Sequence, residues 1–255
     1  MTSVPFVALN TFRETVRDKV LYNLVLFALL MISSSYVLGK ISVYQEVKII
    51  KDLGLASISI FGVVIAIFIG IGLVAKEIDK RTVYSLLPKP LSRVQFVLGK
   101  YFGLCLTLLV NVSVMTLGLY AVLFAMEEPF DSALLKAIFL IYVSLAVVVA
   151  VALLFSTFTS SLLAGLATGF VYVAGYFSSD LKNFDMVVDS RFIPGVTRVL
   201  YYLLPNFRNF DVKAPVVAGD PLSLAQVGWA TLYGAVYIGL VLVGASWIFQ
   251  KRNLK

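Results

Sequence analysis

Three carboxylates lie within ten residues, Asp180, Asp185 and Asp189, a density that could hold a metal or serve a lipid-modifying transferase at a membrane surface. The plainer reading of the same residues is a solvated acidic loop. Little else in the chain points to bond-making chemistry. Histidine is absent, which removes the usual general base, metal ligand and proton shuttle. Two Gly-Lys pairs, Gly39-Lys40 and Gly99-Lys100, are followed by Ile41 and Tyr101, whereas a phosphate-cradling loop needs Ser or Thr for magnesium and a strand before it. The chain therefore carries no readable ATP site of its own. Its single cysteine, Cys105, permits no intrachain disulfide and no thiol metal cluster, and reads as a small apolar packing residue.

The elements that would position any function are membrane spans. Of the 255 residues, 60% are hydrophobic and 14% charged, with a mean hydropathy of +0.95, far from the roughly one quarter charged of soluble domains. Six uncharged stretches stand out: 20–38, 53–75, 101–126, 137–158, 162–177 and 227–249. A span needs roughly 17–25 apolar residues, so 162–177 is short unless its uncharged flanks extend it. No Asp, Glu, Lys or Arg falls inside these stretches, so no proton relay is evident and an ion-driven carrier or channel is disfavoured.

The net charge of +7 is explained by membrane orientation rather than by nucleic acid. With the amino end cytoplasmic, segments 1–19, 76–100 and 250–255 hold twelve Lys/Arg, and the short loops 39–52 and 127–136 on the other side hold four. The positive-inside rule then places both termini in the cytoplasm. A cleaved signal peptide is the rival reading of the amino end, but charges extend to Lys19 and no A-x-A site follows.

Residues 1–19 predict a helix lying on the membrane, with Phe6, Leu9, Phe12, Val16 and Val20 on an apolar face and Asn10, Arg13, Glu14, Arg17 and Asp18 toward water. Between the second and third spans, RTVYSLLPKPLSR (81–93) carries three cations and two prolines. Lys76 to Leu87 predicts a short helix, with Glu77 four residues before Arg81 in the favoured orientation for a helical ion pair. Pro88 stops it, and Lys89-Pro90 is extended. Ser92 followed by Gln95 then matches a capping box that starts the next helix. The expected product is a compact helix-bend-helix projection continuous with two spans, set against the simpler reading of a solvated turn.

The third span carries a stripe of small or polar residues, Gly103, Thr107, Asn111 and Gly118, facing protein or water. Thr107 and Asn111 are candidates to line a transport path or to bond between helices. Gly165-x-x-x-Gly169 offers the fifth span a close-packing face, between subunits or within one. The loop 178–226 divides into an acidic part, an apolar helical segment at 196–204 that could dip into the membrane or form a lid, and a Pro/Gly-rich return. Convincing internal repeats are absent.

Three stretches carry a family resemblance: FRETVRDKVLYNL at 12–24, KEIDKRTVYSLLPKPLSRVQFVLGK at 76–100 and YYLLPNFRNF at 201–210. With six spans and a long last outer loop, they resemble the permease subunits of ABC transporters of the second exporter class. The nearest subgroup looks like the permeases associated with maturation of multicopper enzymes such as nitrous oxide reductase. The resemblance implies one all-α transmembrane permease domain over 1–255, with an interfacial helix at 1–19, a coupling segment at 76–100 and an extracytoplasmic helical loop at 178–226. It implies that Glu77, Asp79, Lys80, Arg81, Tyr84 and Leu87 meet an ATPase subunit, and that Phe12, Arg13, Glu14 and Arg17 belong to the connecting helix. Two ATPase copies carrying ATP and Mg, and a second permease, identical or not, would complete the complex in the inner membrane. An extracytoplasmic accessory protein is compatible with this picture; nucleic acid is not expected.

Overall fold

The computed structural model describes residues 3–41, 45–79, 92–178 and 203–251, with the backbone alone for Ser3 and for 72–79. The helices are α1 (Ser3–Val16), α2 (Lys19–Ile41), α3 (Glu46–Asp79), α4 (Arg93–Ala125), α5 (Ser132–Ser156) and α6 (Ser161–Tyr176). A 3₁₀ turn (Phe207–Phe210), the short α7 (Lys213–Ala218) and α8 (Leu224–Lys251) follow.

Five of these, α2, α3, α4, α5 and α8, are long and apolar enough to cross a membrane. The sixth expected span is present as a helix, but α6 has only 16 residues, just under the usual spanning length. Two boundaries also differ from expectation. α3 starts at Glu46, where a loop to residue 52 was expected, and runs unbroken to Asp79 rather than pausing before a separate helix at 76. α4 starts at Arg93, at the capping box read from the sequence and eight residues before its uncharged run. At 1.5 Å per residue α3 and α4 are each about 50 Å long, well beyond a hydrocarbon core of about 30 Å, so charged ends and an apolar middle belong to one rod.

Helix starts follow local chemistry. Asp18 Oδ1 accepts the N–H of Val20 at 3.0 Å, separating α1 from α2. The capping box read from Ser92 and Gln95 is present: Gln95 N–H donates to Ser92 Oγ at 3.3 Å, and Ser92 N–H donates to Gln95 Oε1 at 3.2 Å.

α5 is the centre of the bundle. It is apolar on all sides, as a helix surrounded by others must be, and Leu145, Val147, Val149, Ala150, Ala152 and Leu153 are completely enclosed. It packs against α3, α4, α6 and α8. Glycines spaced eight residues apart let α3 approach its neighbours. A methyl added at Gly62 would lie 2.6 Å from Leu145 Cδ1, and one at Gly70 would lie 2.5 Å from Ala152 Cβ. The third member of the series, Gly54, faces Leu119 of α4.

Large apolar side chains cover the outside. Phe27 and Leu30 on α2, Leu162 and Phe170 on α6, and Trp229 and Leu240 on α8 are all more than half exposed. A surface this apolar is a lipid or subunit surface rather than a water surface.

Candidate functional site

The helices alternate in direction, so α1, the starts of α2, α4 and α6 and the ends of α3, α5 and α8 share one end of the bundle, here the α1 end. α1 lies along the first turns of α4, and Gly99 and Gly103 make the approach possible. A methyl on Gly99 would sit 2.6 Å from Val7 Cβ; on Gly103 it would sit 2.5 Å from the Ala8 carbonyl oxygen and 2.7 Å from Thr11 Cβ. Thr11 and Thr15 are buried in this contact, and the Thr15 hydroxyl donates to the Thr11 carbonyl at 2.8 Å.

α1 therefore has three faces. Val4, Val7, Ala8, Thr11 and Thr15 turn toward α4; Phe6 and Leu9 are exposed and apolar, with Phe12 and Val16 partly covered beside them; Asn10, Arg13, Glu14 and Arg17 are exposed and polar. The two-faced helix expected from the sequence lacks the first of these. The signal was available in the run of small residues on α1 and in the Gly99-x-x-x-Gly103 spacing.

α4 begins beside the end of α8. Arg93 Nη1 donates to the carbonyls of Phe249 at 2.9 Å and Gln250 at 2.8 Å, and its guanidinium lies 5.9 Å from the Phe249 ring centre. A cation there satisfies the last carbonyls of α8 and the negative end of its dipole. Lys100 is the last residue of the charged segment 76–100. It lies two turns into α4 and is enclosed, 2% exposed, with Nζ 5.4 Å from the Phe96 ring centre. Of the expected ATPase contacts, Glu77 and Asp79 lie on the helical backbone of α3, and their side chains are outside the described residues. Lys80, Arg81, Tyr84 and Leu87 also lie outside the described residues, as do Asp180, Asp185 and Asp189.

Midway along α4, Thr107 and Asn111 are buried and bonded to their own helix: Thr107 Oγ1 donates to the Gly103 carbonyl at 3.0 Å, and Asn111 Nδ2 to the Thr107 carbonyl at 2.9 Å. Gly165 faces α3, where an added methyl would meet Ile71 Cδ1 at 3.1 Å, while Gly169 opens onto space. The two glycines thus do not share one contact.

The far end is closed by two devices. Lys51 and Asp131 form an ion pair of 2.7 Å that ties α3 to α5, and Asp131 Oδ1 accepts the Ala133 N–H at 2.9 Å as the cap of α5. Partial burial pushes the Asp131 carboxyl up, but the Lys51 hydrogen bond and charge and the backbone N–H groups outweigh it and hold the carboxyl below its ordinary range. The second device is the described part of the third signature stretch, Leu203–Phe210. Asn206 Oδ1 accepts the Arg208 N–H at 3.1 Å and starts the 3₁₀ turn, which drives Phe207 and Phe210 into the bundle, each 2% exposed. Phe207 packs on Tyr172 and Tyr176, and Phe210 on Tyr233. Tyr176 donates its hydroxyl to Asp211 Oδ2 at 3.1 Å, and Asn206 N–H donates to the Tyr233 hydroxyl at 2.8 Å. The return of the long loop is thus a cap seated on α5, α6 and α8. The apolar segment expected at 196–204 lies mostly outside the described residues; Leu203, within them, is exposed.

A capped bundle of long apolar helices with an amino-terminal helix docked on its side is the setting for the comparison with known families. The family described as ABC-2 family transporter protein matches residues 6–190. The chain belongs to that family. It is therefore a transmembrane ABC transporter permease, a multi-pass transport subunit rather than an enzyme, and the family implies an ABC ATPase partner. A search of the curated proteins returned no match.

Proposed function

We propose that this permease exports its cargo across the inner membrane with six spans, α6 extended by its flanks being the sixth and both termini in the cytoplasm. Two copies of an ATPase subunit, holding ATP and Mg, drive it, and a second permease completes the path; the chain itself carries no cofactor. Energy enters through the segment 76–100, where Glu77, Asp79, Lys80, Arg81, Tyr84 and Leu87 are the contact residues. By motif the chain resembles permeases serving multicopper-enzyme maturation, which makes an extracytoplasmic accessory protein a reasonable partner.

The observation that carries the reading is mechanical. α3 continues as one helix from the membrane to Asp79, and α4 restarts at a capped Arg93, so the intervening segment is bounded by two rods that cross the bundle. A displacement delivered to Asp79 or Arg93 passes directly into those rods. The test is the double reversal Glu77→Lys with Arg81→Glu. Co-purification of the ATPase with the permease and permease-stimulated ATP hydrolysis should each fall at least tenfold, with membrane insertion of the chain unchanged. Undiminished ATPase capture and stimulation would overturn the assignment of the coupling segment.

A further inference from the structure

A crevice of about 330 Å³ opens at the α1 end, between the end of α1, the start of α2, the α1-end half of α3 and Ser161 at the start of α6. Its volume lies within the range of small-molecule sites. Leu21, Leu24, Ile65 and Ile69 make an apolar floor, and Phe68 adds an aromatic ring. The only ionisable side chains lining it among the described residues are two carboxylates, Glu14 and Asp18. Arg13, Arg17 and Lys19, their neighbours in sequence, do not line it.

The polar groups around the mouth are unequally engaged. Asp18 Oδ1 is committed to the Val20 N–H, and the Thr15 hydroxyl to the Thr11 carbonyl. The Glu14 carboxylate, exposed at the mouth, has no hydrogen bond or ion pair among the described residues. An apolar floor beneath a mouth whose lining charges, among the described residues, are all acidic is complementary to one ligand class: a hydrocarbon body ending in a positive charge. The same mouth repels a carboxylate or sulfate head by like charge, and the ring of Phe68 adds a face that attracts ammonium groups.

We infer that this crevice binds an amphiphile with an ammonium head, its chain on the Leu21, Leu24, Ile65 and Ile69 floor and its charge at Glu14 and Asp18. The binding requires no nucleotide and no partner chain, so it stands or falls separately from the coupling proposal. The ligand can be a membrane lipid bearing an amine or a free cationic amphiphile; the head chemistry is common to both.

The probe is dodecylammonium carrying a photoreactive diazirine in its chain, added to the full-length permease in dodecyl maltoside micelles, with labelled peptides mapped by mass spectrometry. Labelling is expected within 18–24 and 65–71, competed by unlabelled dodecylammonium and not by dodecanoate. Glu14→Gln combined with Asp18→Asn should lower it at least fivefold. Asparagine still caps α2 and both changes are isosteric at exposed positions, so the variant keeps its fold, as its elution profile would verify. Leu24→Trp, which fills the floor, should lower labelling with the carboxylates intact. Displacement of the probe by phosphatidylethanolamine would assign the site to a lipid; displacement by free dodecylammonium alone would assign it to a non-lipid cation. Labelling elsewhere, equal labelling by the dodecanoate analogue, or no effect of the double replacement would overturn the inference.

Discussion

Asp131 serves two helices at once, as the cap of α5 and as the anion for Lys51 on α3. Asp131→Ala removes both roles and should destabilise the bundle by about 1–2 kcal/mol, about 1 from the cap and up to about 1 from a partly exposed pair. Asp131→Asn keeps the cap and should cost less than about 1 kcal/mol. The pH dependence has a definite sign. A carboxyl held below its ordinary value stabilises fully above the unfolded carboxylate range, near 4, and loses that contribution as the pH falls through its lowered folded value. Thermal unfolding in detergent should therefore separate wild type from Asp131→Asn at neutral pH, with the two curves converging in strong acid. Gly103 is the other decisive single position, because a side chain there would enter the α1 backbone. Gly103→Leu should release α1, and a Thr11→Cys reporter, at a position 1% exposed in the native fold, should become reactive to maleimide only in that background.

Among the elements, the cap formed by residues 205–218 depends on two aromatic insertions. Phe207→Ala should cost about 3 kcal/mol, at the lower bound for a buried aromatic, and loosen the cap first, read as faster proteolysis between 205 and 222 with the helices intact. Elements with short-range causes were legible in sequence: the capping box at Ser92 and Gln95, the breadth of the apolar runs, and α1 as a helix. What escaped depends on distant partners. Hydropathy alone cannot place the ends of α3, because charged residues at the ends of a rod longer than the bilayer look like loop. The burial of Lys100 on α4 was not legible either, because its enclosure depends on neighbouring helices. The docking face of α1 was missed because its partner is a pair of glycines more than 90 residues downstream. The eight-residue glycine series of α3 could have been found by spacing alone, but the facing helices could not.

At the scale of the molecule, the described contacts set a firmly held centre within an apolar periphery. α5 is held on four sides, while α2, α6 and α8 present large apolar surfaces that a bilayer or a second subunit can accept. Arg93 adds a constraint between parts of the chain 156 residues apart, joining the root of α4 to the final turn of α8. Since α4 is also locked to α1 through Gly99 and Gly103, the three behave as shafts bolted to one crossbar. Any load delivered at that joint is shared among them, so α1, α4 and α8 would tilt as a block instead of one rod bending alone.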